Sequence, residues 1–193
     1  MKYRGAISDT DILINLAKGD CINLLELLFD EIVVPQFILD VELRKKAGVN
    51  YLKIVQAIND DNSILKIVER RNDRLVNKIA EEVIQEKKKL IGPGESECAG
   101  YATALGIPII ISDNYTEFKW LEEDYITLTH RNLLALCVYF NHISMDSAID
   151  TFNKINTTLA RPSSLNFYDF YKRSMIKFTE NGWCDYLRVT QYF

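Results

Sequence analysis

The chain has 193 residues and a net charge of −4, enough for one α/β domain with an extension and too little positive charge overall to signal nucleic-acid binding by itself. Its four cysteines, Cys21, Cys98, Cys137 and Cys184, are widely separated; this argues against a zinc site or a secreted disulfide scaffold and predicts a reducing, cytoplasmic setting. Met-Lys-Tyr-Arg-Gly at the start lacks the apolar run of a signal peptide, and no stretch is long and uncharged enough to span a bilayer, so neither secretion nor membrane insertion is expected.

Tyr3 to Ser8 reads as a short strand, and Asp11 to Ala17 as a helix ending at Gly19. Asp20 is expected to cap a second helix running to about Phe29. Ile32 to Val34 is a buried strand, and Pro35 begins a helix that carries Glu42 and stops near Gly48. Tyr51 to Ile58 reads as a helix facing inward through Leu52, Val55 and Ile58, followed by a strand over Ser63 to Val68. Asn72 to Lys89 is a long amphipathic helix with Leu75, Val76, Ile79, Ala80, Val83 and Ile84 on its inner face. Glu95 opens the next helix, which Gly106 ends; Ile107 to Ser112 is the clearest strand of all. A short helix at Glu117 to Glu122, a strand at Tyr125 to Leu128, and helices over Asn132 to Phe140 and Asp146 to Leu159 complete the alternation. Alternating strands and helices predict a parallel α/β sheet. Beyond Arg161-Pro162 the chain turns aromatic-rich (Phe167, Tyr168, Phe170, Tyr171, Phe178, Trp183, Tyr186, Tyr192, Phe193) and reads as an extension that packs on the core.

Four acids stand at strand ends or helix starts: Asp9, Glu42, Glu95 and Asp113. The carboxyl ends of parallel strands share one edge, where ligands bind, so acids remote in sequence can meet there. Each also has an ordinary reading. Asp9 can cap a helix, Glu42 can pair with Lys46, Glu95 suits a helix N-terminus, and Asp113-Asn114 is good turn chemistry. If they converge, two charges about 5 Å apart repel by roughly 3 kcal/mol at an effective dielectric near 20. A divalent cation removes that conflict, and carboxylates without thiolate or imidazole select Mg²⁺ or Mn²⁺. Such an ion serves phosphoryl chemistry. Only two histidines, His130 and His142, are present, flanking one helix. No phosphate-binding Gly-Lys loop and no Gly-x-Ser-x-Gly elbow occurs.

Four ordered blocks resemble the PIN-domain family over about residues 3 to 140: Ile7-Ser8-Asp9-Thr10-Asp11 with its apolar helix, Val33-Val34-Pro35 through Glu42, Gly94-Glu95-Ser96-Glu97, and Ile109 through Asp113-Asn114. The resemblance implies an α/β/α sandwich with a central parallel sheet, over 1–142, and a helical, aromatic-rich C-terminal extension over 143–193. It further implies a Mg²⁺- or Mn²⁺-dependent endoribonuclease that hydrolyses RNA phosphodiesters to 5′-phosphate and 3′-hydroxyl ends. Asp9, Glu42, Glu95 and Asp113 would form the catalytic set, with Asp9, Glu95 and Asp113 toward the metal. Asp11, standing where the family has Ser or Asn, joins Glu97 and Glu117 as accessory acids. Many relatives are toxins of toxin–antitoxin pairs, so an antitoxin protein and a homodimer are expected partners. Arg71, Arg74 and Lys78 are candidate RNA contacts, though Glu81, Glu82 and Glu86 interrupt that stripe.

Two rivals stand beside this reading. Asp9-Thr10-Asp11 and Ser112-Asp113 resemble motifs of haloacid-dehalogenase-type phosphatases, but Leu13 replaces the expected Thr or Val and no Ser or Thr ends the second strand. The PIN resemblance also accounts for Glu42 and Glu95, which the phosphatase pattern leaves idle. The other rival is a non-catalytic PIN-like module that binds RNA or protein.

Overall fold

Five strands are laid down in parallel and then shuffled in space. The computed structural model describes residues 2–70 and 73–184; Arg71 and the aromatics Tyr186, Tyr192 and Phe193 lie outside them. The strands are β1 (Tyr3–Ser8), β2 (Phe29–Pro35), β3 (Leu65–Val68), β4 (Ile109–Ile111) and β5 (Ile126–Leu128), ordered β3-β2-β1-β4-β5. Every pairing is parallel. The short apolar runs Ile32–Val34 and Ile109–Ile111 are buried throughout, as strands covered on both faces require.

The helices are α1 (Thr10–Lys18), α2 (Leu24–Leu28), α3 (Arg44–Lys46), α4 (Tyr51–Asn59), α5 (Arg74–Lys87), α6 (Pro93–Leu105), α7 (Phe118–Leu121), α8 (His130–Tyr139), α9 (Met145–Thr158) and α10 (Phe167–Asn181). A π-helical stretch, Ile38–Leu43, leads into α3. One layer is α6, packed on β1, β2 and β4, with α5 outside it; α1, α2, α4 and α8 form the other layer. The result is the expected α/β/α sandwich with a parallel centre. Among the described residues no helix is long and apolar enough to cross a membrane.

The seam between α5 and α6 is very close. A Cβ at Gly100 would lie 2.7 Å from the Ala80 carbonyl oxygen and 2.5 Å from Ile84 Cγ1, so only glycine lets the two helices approach this far.

Several local expectations are corrected. Asp20 does not cap α2; it takes a positive φ of 55° and pairs with Lys53, and α2 begins only at Leu24. Pro35 is the last residue of β2, opposite Val68, and the expected helical segment begins one residue later, at Gln36, and runs to Lys46. On α4, Ile54 and Ile58 are buried while Leu52 is exposed. On α5, Ala80 and Ile84 carry the contact and Leu75 is exposed, because an outer-layer helix touches its neighbour along a stripe narrower than its apolar face.

The chain beyond α8 packs back onto the sandwich. Helix α9 meets α1 and α8, and α10 meets α8 and α9. Phe152 is fully buried between Phe167 and Phe170, with its ring stacked 6.5 Å from that of His130. Phe152, Ile155, Phe167 and Phe178 belong to the same core cluster as the sheet residues.

Candidate active site

Strands β1 and β4 lie side by side, with Ser8 in register with Ile111, yet the chain leaves them in opposite directions, toward β2 and toward β5. This is the topological switch point of an open parallel sheet, where a crevice opens beyond the carboxyl ends. Asp9 follows β1 directly, and its N–H donates to the Ile111 carbonyl at 3.0 Å. That bond fixes Asp9 beside Ser112, whose Oγ donates to Asp9 Oδ2 at 3.0 Å. Asp9 occupies the N-cap position of α1 but makes no side-chain cap bond; its carboxylate is turned to the crevice instead.

Glu42 and Glu95 arrive from the two layers. The π-helical stretch carries Glu42, which accepts from Thr10 Oγ1 at 2.7 Å and Lys46 Nζ at 2.8 Å. The i,i+4 pair with Lys46 expected of a surface helix is therefore present, but Glu42 itself is buried. Glu95 sits in the first turn of α6 and accepts from Asn114 Nδ2 at 2.6 Å. A Cβ at Gly94 would lie 2.7 Å from Glu42 Oε1, so glycine at this step lets the start of α6 close on the Glu42 carboxylate.

The surroundings shift the acids in different directions. Burial, then the Glu95 charge, then Asp11 push the Asp9 carboxyl well above the usual carboxylate range, against the bonds from Thr10 and Ser112. Burial also raises Glu95; the Asn114 bond opposes this, while Glu117 and Glu42 add to it. Asp11, half-buried and 3.9 Å from Lys46, is raised chiefly by burial, with Lys46 opposing. Burial pulls Asp113 upward too, but the His130 ring and the bonds from His130 and Asn15 win, and the carboxyl lies below its ordinary value. His130 Nδ1 is 2.8 Å from Asp113 Oδ1, the His130 N–H donates to the same oxygen at 3.0 Å, and Asn15 Nδ2 donates to Oδ2 at 2.7 Å. An ionised carboxylate only accepts, so Nδ1 carries the proton.

Of the accessory acids, Glu117 lies beside Glu95 and accepts the Gly92 N–H at 2.8 Å. Glu97 points elsewhere. It is buried against Arg70, with Lys88 at 3.9 Å, and its Oε2 has no partner. Arg74 and Lys78 are exposed on α5, beside Arg70 and Tyr101. Sequence reasoning missed the groups that orient the acids: Thr10, Asn15, Ser112, Asn114 and His130. Asn15 left one signal, an amide within the apolar run Ile12–Ala17 of α1.

The donor set is all carboxylate oxygen and selects a hard cation. Among the described residues no three His, Cys, Asp or Glu side chains are spaced to hold a metal by themselves. Mg²⁺ does not need such a cage; it binds through one or two carboxylates and keeps its remaining waters. Lys46 bonds Glu42, which leaves Asp9 and Glu95 as the pair whose mutual repulsion a cation would relieve. The residues fit Mg²⁺ or Mn²⁺ on those terms.

No curated protein matches this chain. Among solved structures it is similar to VapBC-1 from nontypeable Haemophilus influenzae, at 18% identity and a TM-score of 0.46, over 65% of this chain and 97% of that one. Residues 5–130 match the family profile described as PIN domain. That span runs from β1 to the first residue of α8 and contains all four acids of the crevice, so the chain belongs to the PIN-domain family.

Proposed function

We propose that this chain is a metal-dependent endoribonuclease acting in the cytoplasm, with Asp9, Glu42, Glu95 and Asp113 as its working acids. The observation that carries the reading is the buried Asp9–Glu95 pair at the switch point, where burial and the Glu95 charge push the Asp9 carboxyl well above the usual carboxylate range. A protein has no structural use for two adjoining carboxyls in that state; a hard cation makes them useful. Mg²⁺ or Mn²⁺, when bound, would supply Lewis acidity and a water of lowered pKa for attack on phosphorus.

The chain's own groups divide the remaining work. Asp9 and Glu95 would hold the cation or its waters. Thr10 and Lys46 fix Glu42 at the rim of the same crevice. Asp113, kept ionised by His130 and Asn15, is an acceptor that stays charged through neutral pH and orients water or substrate hydroxyls.

The discriminating assay offers single-stranded RNA and p-nitrophenyl phosphate to one preparation with Mn²⁺. RNA cleavage that Asp9→Asn abolishes supports the proposal; p-nitrophenyl phosphate turnover without RNA cleavage points to the phosphatase reading and sinks it. A toxin paired with an antitoxin is the finer form of the proposal. It predicts growth arrest on induced expression, absent with Asp9→Asn and relieved by co-expressing the product of an adjoining gene.

A further inference from the structure

A groove runs outward from Asp113 along the β5 side of the molecule. Its inner part, about 540 Å³, is lined by Asp113, Tyr115, Arg131 and Arg161 among others. Its outer part, about 470 Å³, shares Tyr115 and Arg131 and adds Phe170 and Arg173. The two parts adjoin at these two shared residues. Apart from Asp113, the lining contains one carboxylate, Glu122, which is bonded to Lys177 at 2.7 Å.

Three arginines line the two parts: Arg131, Arg161 and Arg173. Elsewhere Lys46, Arg70 and Lys87 each face a carboxylate. Among the described residues no carboxylate pairs with Arg131, Arg161 or Arg173, and Arg131 Nε is buried without a hydrogen-bond partner. The Arg131 guanidinium lies 4.3 Å from the Phe170 ring centroid and 5.4 Å from that of Tyr115. Tyr115 is half exposed where the two parts meet. Unpaired arginines with an accessible aromatic ring form the combination that single-stranded nucleic acid uses: guanidinium forks for phosphates, and a ring for base stacking. An acidic peptide would use the arginines but has no need of the ring. A duplex keeps its bases stacked and cannot offer a face to Tyr115.

We propose that this groove is the track on which single-stranded RNA reaches the acids, with Arg131, Arg161 and Arg173 on its phosphates and Tyr115 under a base. The proposal rests on the nuclease reading. It assigns the C-terminal extension a part in substrate binding, since Arg161, Phe170 and Arg173 lie beyond the family span of 5–130. It also moves RNA contact away from Arg74 and Lys78, which line neither part of the groove.

The test is fluorescence anisotropy of a short labelled single-stranded RNA on the full chain in EDTA, where cleavage does not interfere. Arg173→Glu is expected to weaken binding about tenfold or more and to flatten its salt dependence. Tyr115→Ala is expected to weaken it about fivefold or more, the loss of one stacked base. Arg74→Ala with Lys78→Ala should change affinity less than about twofold. Tyr115 and Arg173 are both exposed, so their variants test binding without threatening the fold. Unchanged affinity in both, or no RNA binding by the unsubstituted chain, overturns the proposal. So does polyglutamate that binds with dependence on Arg173 while RNA does not, which would make the groove a protein-docking surface. RNA binding lost in the groove variants, from a chain that cleaves no RNA with Mn²⁺, would leave the groove standing and defeat the nuclease reading alone.

Discussion

Asp9 and Asp113 sit at adjacent strand ends and respond to pH in opposite senses. The folded chain holds a proton on Asp9 more tightly than the unfolded chain does. Without a divalent cation, the Asp9 contribution to stability is therefore full below the ordinary carboxylate pKa of about 4 and is lost as pH rises through the raised value. Asp113 is the reverse: its stabilisation is full above the ordinary pKa and is lost as pH falls through its lowered one. Thermal melts in EDTA should show Tm falling as pH rises above about 4, with Mn²⁺ or Mg²⁺ restoring it. Asp9→Asn should abolish cleavage, raise Tm in EDTA at neutral pH, and remove much of the response to the cation; for a chain of this size each kcal/mol of relieved repulsion is about 2–4 °C. A lower Tm for Asp9→Asn in EDTA would contradict the charge assignment. His130→Ala should cost about 3–5 kcal/mol, since it strips a buried carboxylate of its main partner, and urea unfolding measures this directly.

At the level of elements, the first turn of α6 decides the site and its middle decides the packing. Gly94→Ala would put a methyl group where the Glu42 carboxylate now lies. That carboxylate ends a flexible side chain but is held by Thr10 and Lys46, so swinging it aside strains those two bonds at about 1 kcal/mol. Displacing it by about 1 Å is the kind of error that costs about 100-fold in turnover, and steady-state RNA cleavage beside a melting curve separates the two effects. Gly100→Ala is the converse. Its methyl group meets the Ala80 backbone, which cannot swing, so α5 must move off α6 at about 1–3 kcal/mol, seen as a lower Tm with the acids untouched. The π-helical stretch belongs to this scale as well: such distortions recur at functional sites, and here it carries Glu42.

Across the whole molecule, the extension is part of the core. Gly19, just past α1, is tight against Ile155 of α9, and the ring of Phe152 lies against His130, the partner of Asp113. Ending the chain at 142 should uncover Tyr3 and His130, which the extension touches through Trp183 and Phe152, giving aggregation or a molten state rather than a smaller folded nuclease, as near-ultraviolet circular dichroism would reveal. The strands were legible in sequence because a short β-branched run such as Ile109–Ile111 can only be buried between layers. The acids at their ends were legible because that placement is local. Which acids meet was not. Glu95 and Glu97 are two residues apart, yet helical geometry turns successive side chains by about 100°, which sends Glu97 to Arg70. The partnership of Asp113 with His130, and the groove between the sheet edge and α10, depend on pieces of chain brought together only by sheet order and helix packing. Sequence by itself determined the alternation of elements and the kind of chemistry on offer, because both follow from local composition. Tertiary structure alone decided which carboxyls share a crevice and which way each is shifted, because burial and charge coupling act through space rather than along the chain.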